Sequence, residues 1–125
     1  MKSEITFGIS THIFYSRRLT ANDLSLLRGN PFTHVELFCA HHHFDSHDAM
    51  QVEEIAEGLR STGLRVNSLH SPFYTLTPSG ERAYYSISSS DEHERRHAVS
   101  EIKAAAGLRS IFEYQYLVVH LGPTG

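Results

Sequence analysis

Leu64-Arg65-Val66-Asn67-Ser68-Leu69-His70, followed at once by Ser71-Pro72, reads as a short strand that ends on a histidine. Tyr116-Leu117-Val118-Val119-His120, before Leu121-Gly122-Pro123, repeats the form, and Ile5 to His12 and His34 to Cys39 are two more apolar runs of strand length. The polar residues of the four runs share one phase. Even-numbered positions give Gly8, Ser10 and His12, then Glu36, then Ser68 and His70, then Val118 and His120. Odd-numbered positions give Phe7 and Ile9, Val35 and Leu37, Leu69, and Leu117 and Val119. Because strand side chains alternate between faces, one face is expected to lie under helices while the other carries Ser, Glu and His toward a common centre. Strands buried on both faces usually run as near-continuous Val, Ile and Leu, so the polar face reads as part of an active site.

The intervening segments read as helices. Thr20 precedes a run with Leu24, Leu27 and Arg28 at helical spacing and Gly29 as a stop. Asp48 with Gln51 resembles a capping box, and Val52, Ile55, Ala56 and Leu59 form a stripe that ends before Gly63. Ser89 with Glu92 opens a third helix, with Ala98, Val99, Ile102, Ala105 and Ala106 near one face and Gly107 closing it. A βαβαβαβ order implies an α/β fold with parallel strands and right-handed crossovers, so all strand C-terminal ends lie on one rim. Ligands bind on that rim in both barrels and open α/β sheets, and the loops there are the polar ones.

The chain has 125 residues, 40% hydrophobic and 20% charged, which suits one globular domain over residues 1–125. No charged-then-apolar leader opens it and no apolar run approaches about 18 residues, so a cytoplasmic setting is expected. One cysteine, Cys39, excludes an internal disulfide framework and reads as a small core residue. Eleven Lys and Arg against 14 Asp and Glu give a net charge of −3, which leaves no footprint for a nucleic-acid backbone. Ten histidines are the compositional anomaly.

Phe7-Gly8-Ile9-Ser10-Thr11, His34-Val35-Glu36-Leu37-Phe38, Ser68-Leu69-His70-Ser71-Pro72-Phe73 and Leu117-Val118-Val119-His120-Leu121-Gly122 resemble, in order and separation, the first four strands of the xylose-isomerase-like TIM barrels. His43-Phe44-Asp45-Ser46-His47-Asp48, Arg95-Arg96 and Ala104-Ala105-Ala106-Gly107 are similar to the isomerase and epimerase branch of that superfamily, to which the apurinic endonuclease family is related. A complete (β/α)₈ barrel takes about 250 residues, so the resemblance implies a half-barrel of four βα units. It also implies a metal-dependent enzyme acting on a sugar or sugar phosphate, using Mn, Zn, Co or Mg. In isomerase-type members the metal is typically held by strands of the second half. In endonuclease-type members the histidines matching His70 and His120 ligate zinc. A partial barrel of this kind is expected to be inactive alone and to self-associate or pair with a C-terminal half, because its edge strands and inward face stay open. The alternatives are an apurinic-endonuclease-like zinc phosphodiesterase and a non-catalytic half-barrel that binds a partner.

Residue by residue, His70 and His120 end neighbouring strands about 4.8 Å apart and can reach one ion or one substrate; neutral imidazole suits Zn, Mn or Co. They are the candidate catalytic and metal-binding residues, with Glu36 as the inward carboxylate that must find a partner. Ser10, His12, His43, Asp45 and Ser68 are candidate substrate contacts. Within His41 to Asp48, Asp48 is also explained as a helix cap, and three successive histidines cannot all face one ion. Arg17 and Arg18 either meet a phosphate or lie on a solvated face, and Tyr84 and Tyr85 pack on the long loop after the third strand.

Overall fold

The computed structural model describes residues 4–28 and 31–122. The elements are β1 (Phe7–Ser10), α1 (Ala21–Leu27), β2 (Phe32–Phe38), α2 (Ala49–Thr62), β3 (Arg65–His70), β4 (Tyr74–Leu76), β5 (Arg82–Tyr84), α3 (Glu92–Ala106) and β6 (Tyr116–Val118). Short 3₁₀ turns occupy Thr11–Phe14 and Gly107–Ser110. The fold is α/β: β1, β2, β3 and β6 form one parallel sheet in chain order. Gly29 and Pro123 lie outside the described residues. Among the described residues no helix is long and apolar enough to cross a membrane.

The core follows the odd-numbered phase. Val35, Leu37 and Leu69 are fully buried and join Leu24 and Leu27 of α1, Val52, Ile55, Ala56 and Leu59 of α2, and Ala105 near the end of α3. Val66 belongs to this core although its number is even. The cause is a bulge: Val35 pairs with Val66 but Glu36 pairs with Ser68, so Asn67 is an extra residue and the phase slips by one. Ser68 and His70 therefore share a face with Glu36 only because the slip precedes them. Cys39 is a buried free thiol, and burial pushes its pKa up to about 12, as a core residue rather than a nucleophile requires.

Two odd-numbered residues expected under the helices are exposed: Phe7 is 56% and Val119 41% accessible. Phe7 sits on an edge strand with one neighbour, and Val119 lies past the last residue of β6. The strand itself is shorter than its apolar run because β3 ends at His70, opposite Val118, and Ser71 N–H closes the ladder on the Val118 carbonyl at 2.9 Å. At the other edge, β1 stops at Ser10 because the Ser10 hydroxyl accepts the His12 N–H at 3.2 Å and starts a 3₁₀ turn. His12 thus stands on a turn, not on the strand.

Asp48 caps α2 by accepting the Gln51 N–H at 3.1 Å, and Gly63 ends that helix at φ 76°, a conformation glycine adopts without strain. The third helix starts two residues later than the Ser89 reading: Asp91 is its cap and accepts the Glu94 N–H at 2.9 Å. Its buried seam is narrow, made of Ala98 and Ala105, and Val99, expected on it, is exposed. The antiparallel β4–β5 hairpin was not legible from the sequence. Its strands are three residues each, too short for any alternation to register, and only Pro78 and Gly80 (φ 86°) mark the turn between them.

Candidate functional site

The C-terminal ends of β3 and β6 bring two imidazoles into contact. His70 Nε2 and His120 Nε2 are 2.9 Å apart. The Ser71 carbonyl lies 3.1 Å from His70 Nδ1 and can only accept, so His70 carries its proton on Nδ1 and receives the His120 Nε2–H. Phe73 lies flat on His120, with ring centroids 4.0 Å apart and planes within 7°. The Ser71 hydroxyl is buried and has no hydrogen-bond partner among the described residues.

A second polar group crosses the same face. Glu36 Oε1 accepts from the Ser10 hydroxyl at 3.2 Å and Oε2 from the Ser68 hydroxyl at 2.9 Å, so one carboxylate ties three adjacent strands. Ser10, Glu36 and Ser68 are register partners and line a shallow groove with Gly8 and Asn67. Among the described residues the carboxylate thus finds its polar partners without an arginine or lysine.

Above Glu36 the face turns aromatic. Phe38 is fully buried, with ring centroids 4.6 Å from His12, 5.4 Å from His70 and 5.4 Å from Tyr74. His12 Nε2 lies 3.0 Å from the Tyr74 hydroxyl, and Arg82 stacks 4.6 Å over the Tyr74 ring. Tyr74 and Arg82 come from the hairpin, so Phe38, Phe73, Tyr74 and Arg82 shape this site although none was singled out from the sequence. Phe38 was the legible one, since it shares the phase of Glu36.

The segment His41 to Asp48 divides into separate roles. His43 is fully buried in a continuous chain: Phe38 N–H donates to the Thr11 hydroxyl, that hydroxyl to His43 Nε2, and His43 Nδ1–H to the Arg17 carbonyl. His42 Nε2–H donates to the Tyr15 carbonyl at 2.8 Å while Nδ1 accepts the Leu76 N–H at 3.1 Å, which fastens the hairpin to the loop after β1. Asp45 pairs with His41 at 2.8 Å and His47 with Glu101 at 3.1 Å. His43 and Asp45, expected at the substrate, are held in these internal bonds, with the His43 ring 5.8 Å from that of Phe38. Arg17 forks onto buried Asp23 and Arg18 pairs with Asp48, so both support the loop.

Burial lowers the pKa values of His12, His42, His43 and His70 in each case. The Arg82 charge adds to the effect at His12, while the Ser71 carbonyl and Glu36 oppose it at His70. The unfolded chain therefore takes up protons at these positions before the folded one does. Stability should be full above about pH 6.5 and fall as pH drops below it, by about 1.4 kcal/mol per pH unit for each proton of difference. Urea midpoints at pH 7.5 and 5.5 check this; an equal or higher midpoint at pH 5.5 contradicts it.

Two imidazole nitrogens on one metal ion lie about 2.9–3.4 Å apart for bonds near 2.05 Å, so the 2.9 Å pair fits as two adjacent ligands once the His120 proton moves to Nδ1. Among the described residues no set of three or more His, Cys, Asp or Glu side chains stands together as a metal site. The pair would thus leave most coordination positions to substrate, water or other strands. No protein-family model matches this chain, and no curated protein matches it.

Proposed function

We propose that the chain forms the first four βα units of a xylose-isomerase-like (β/α)₈ barrel, and that its polar face belongs to a metal-dependent isomerase or epimerase of a sugar or sugar phosphate in the cytoplasm. The observation that carries this reading is the His70–His120 pair, 2.9 Å apart on the same face as the Ser10–Glu36–Ser68 bridge. The strand order adds support. Strands that follow one another in space without reversal wind one way, as in a barrel, whereas doubly wound sheets reverse at a switch point.

In this reading His70 and His120 would hold a divalent ion such as Mn, Zn or Co, which would polarise the substrate carbonyl when bound. Glu36 accepts hydroxyl hydrogens of the sugar from its position between the two serines. His12, neutral and braced by Tyr74, stands on the same rim as a group able to take the proton from the carbon beside the carbonyl and return it to the adjacent carbon, as an isomerase requires, whereas inversion at one carbon needs a second proton donor on the opposite face. A zinc phosphodiesterase of the apurinic-endonuclease kind has less support, since the net charge of −3 opposes a nucleic-acid partner. Exposed Phe7, Tyr116 and Val118 on the outer strands make association, with a second copy or a complementary half, part of the proposal. Sedimentation at rising concentration reads it out: species beyond the monomer support it and a monomer throughout contradicts it.

The chain alone is expected to give no turnover. The test is therefore calorimetric: the chain should bind Co²⁺ weakly, bind a ketose phosphate more tightly when Co²⁺ is present, and lose that coupling in Glu36→Gln. Sugar binding indifferent to Co²⁺ and to Glu36 would overturn the reading.

A further inference from the structure

A second cavity lies at the opposite end of the sheet from the histidine face. It measures about 660 Å³ and opens where β2 and β3 begin, beside the segment that leads from the second 3₁₀ turn into β6. Ligand pockets commonly span about 300–1,000 Å³. Its walls carry His34, Arg60, Arg65, Arg109 and Tyr114, and buried Leu59 and Phe112 border it from the core. In a chain of net charge −3 this is a local concentration of cations.

The three arginines are not equivalent. Arg60 is bound to Glu53 at 3.1 Å and Glu57 at 2.7 Å, so its charge is largely answered on its own helix. Arg65 and Arg109 meet no carboxylate within ion-pair distance among the described residues. Arg109 lies 5.4 Å over the Tyr114 ring, which steadies the guanidinium by its face and leaves its N–H edges free to donate. Glu113, also on the wall, offsets one charge and favours a ligand whose anionic group sits close to the two free arginines. A planar guanidinium offers two parallel donors to two oxygens of one phosphate, and two such forks suit adjacent phosphates.

We propose that this cleft is a second ligand site, separate from the histidine face, that takes a small phosphorylated molecule with a diphosphate group through Arg65 and Arg109. The phosphates belong between these two side chains. Any organic part of the ligand belongs against Tyr114 and the apolar wall at Phe112.

The test titrates the full chain, at fixed ionic strength set with KCl, with inorganic pyrophosphate and separately with ADP. Both should bind, and the double variant Arg65→Gln/Arg109→Gln should weaken binding at least tenfold, while Arg28→Gln, which is not part of the cleft wall, leaves it unchanged. ADP binding more tightly than pyrophosphate means that the apolar wall also contributes. On the unaltered chain, pyrophosphate should protect Arg65 and Arg109, but not Arg28, from modification by phenylglyoxal, which keeps the test valid if the double variant folds poorly. Absence of binding by both anions, equal weakening by Arg28→Gln, or no selective protection would overturn the proposal.

Discussion

Replacing Gln51 with leucine is expected to lower the free energy of unfolding by about 2–6 kcal/mol, as two backbone groups at about 1–3 kcal/mol each lose their partner. Gln51 is fully buried; its Nε2 donates to the Leu19 carbonyl at 3.1 Å and the His43 carbonyl at 2.6 Å, and its Oε1 accepts the Asp45 N–H at 2.9 Å. The His43 carbonyl keeps a second donor, the Leu19 N–H, so the Leu19 carbonyl and the Asp45 N–H are the groups stranded by the change. Leucine matches the volume and keeps the helix, which isolates the polar loss. Urea denaturation measures it, and a change below about 0.5 kcal/mol, the range of an ordinary surface substitution, would show that these loop bonds are dispensable.

Phe38→Ala should cost about 3–5 kcal/mol, the range for truncating a fully buried aromatic side chain. It should also act on charge. Phe38 packs against His12 and His70, whose pKa values are lowered first of all by burial. Water entering the space would raise both toward the ordinary histidine value. Denaturation and an NMR titration of the ring protons read the two effects on one sample. A stable variant with unmoved histidines would mean that Phe38 does not form the floor of the site.

The parallel sheet was legible because Val35, Leu37 and Leu69 alternate with Glu36, Ser68 and His70 in a way only a two-faced strand explains. The meeting of His70 and His120 followed from the same alternation. The bulge at Asn67 was not legible, because an extra residue leaves no mark on composition, and it decides which face Val66 joins. In the sequence Gln51 reads as half of a capping box. Sequence spacing locates it correctly after Asp48 but cannot show that its side chain turns inward to serve a loop from another part of the chain. The roles of His42 and His43 were hidden for a related reason: three successive histidines look alike until the hairpin and the first 3₁₀ turn supply different partners to each. Tyr74 and Arg82 reach His12 only through the hairpin, whose strands are too short to read.

The central claim is that His70 and His120 act as one centre for a divalent ion on the face that carries Glu36. Imidazole ¹H–¹⁵N spectra of the chain titrated with Zn²⁺ test it most directly, since each histidine reports separately. The account predicts that the Nε2 signals of His70 and His120 shift together and first among the ten histidines, and that His120→Ala removes the response of His70. Zinc signals that appear first at His41, His47, His93 or His97, or a His70 response that survives His120→Ala, would contradict it.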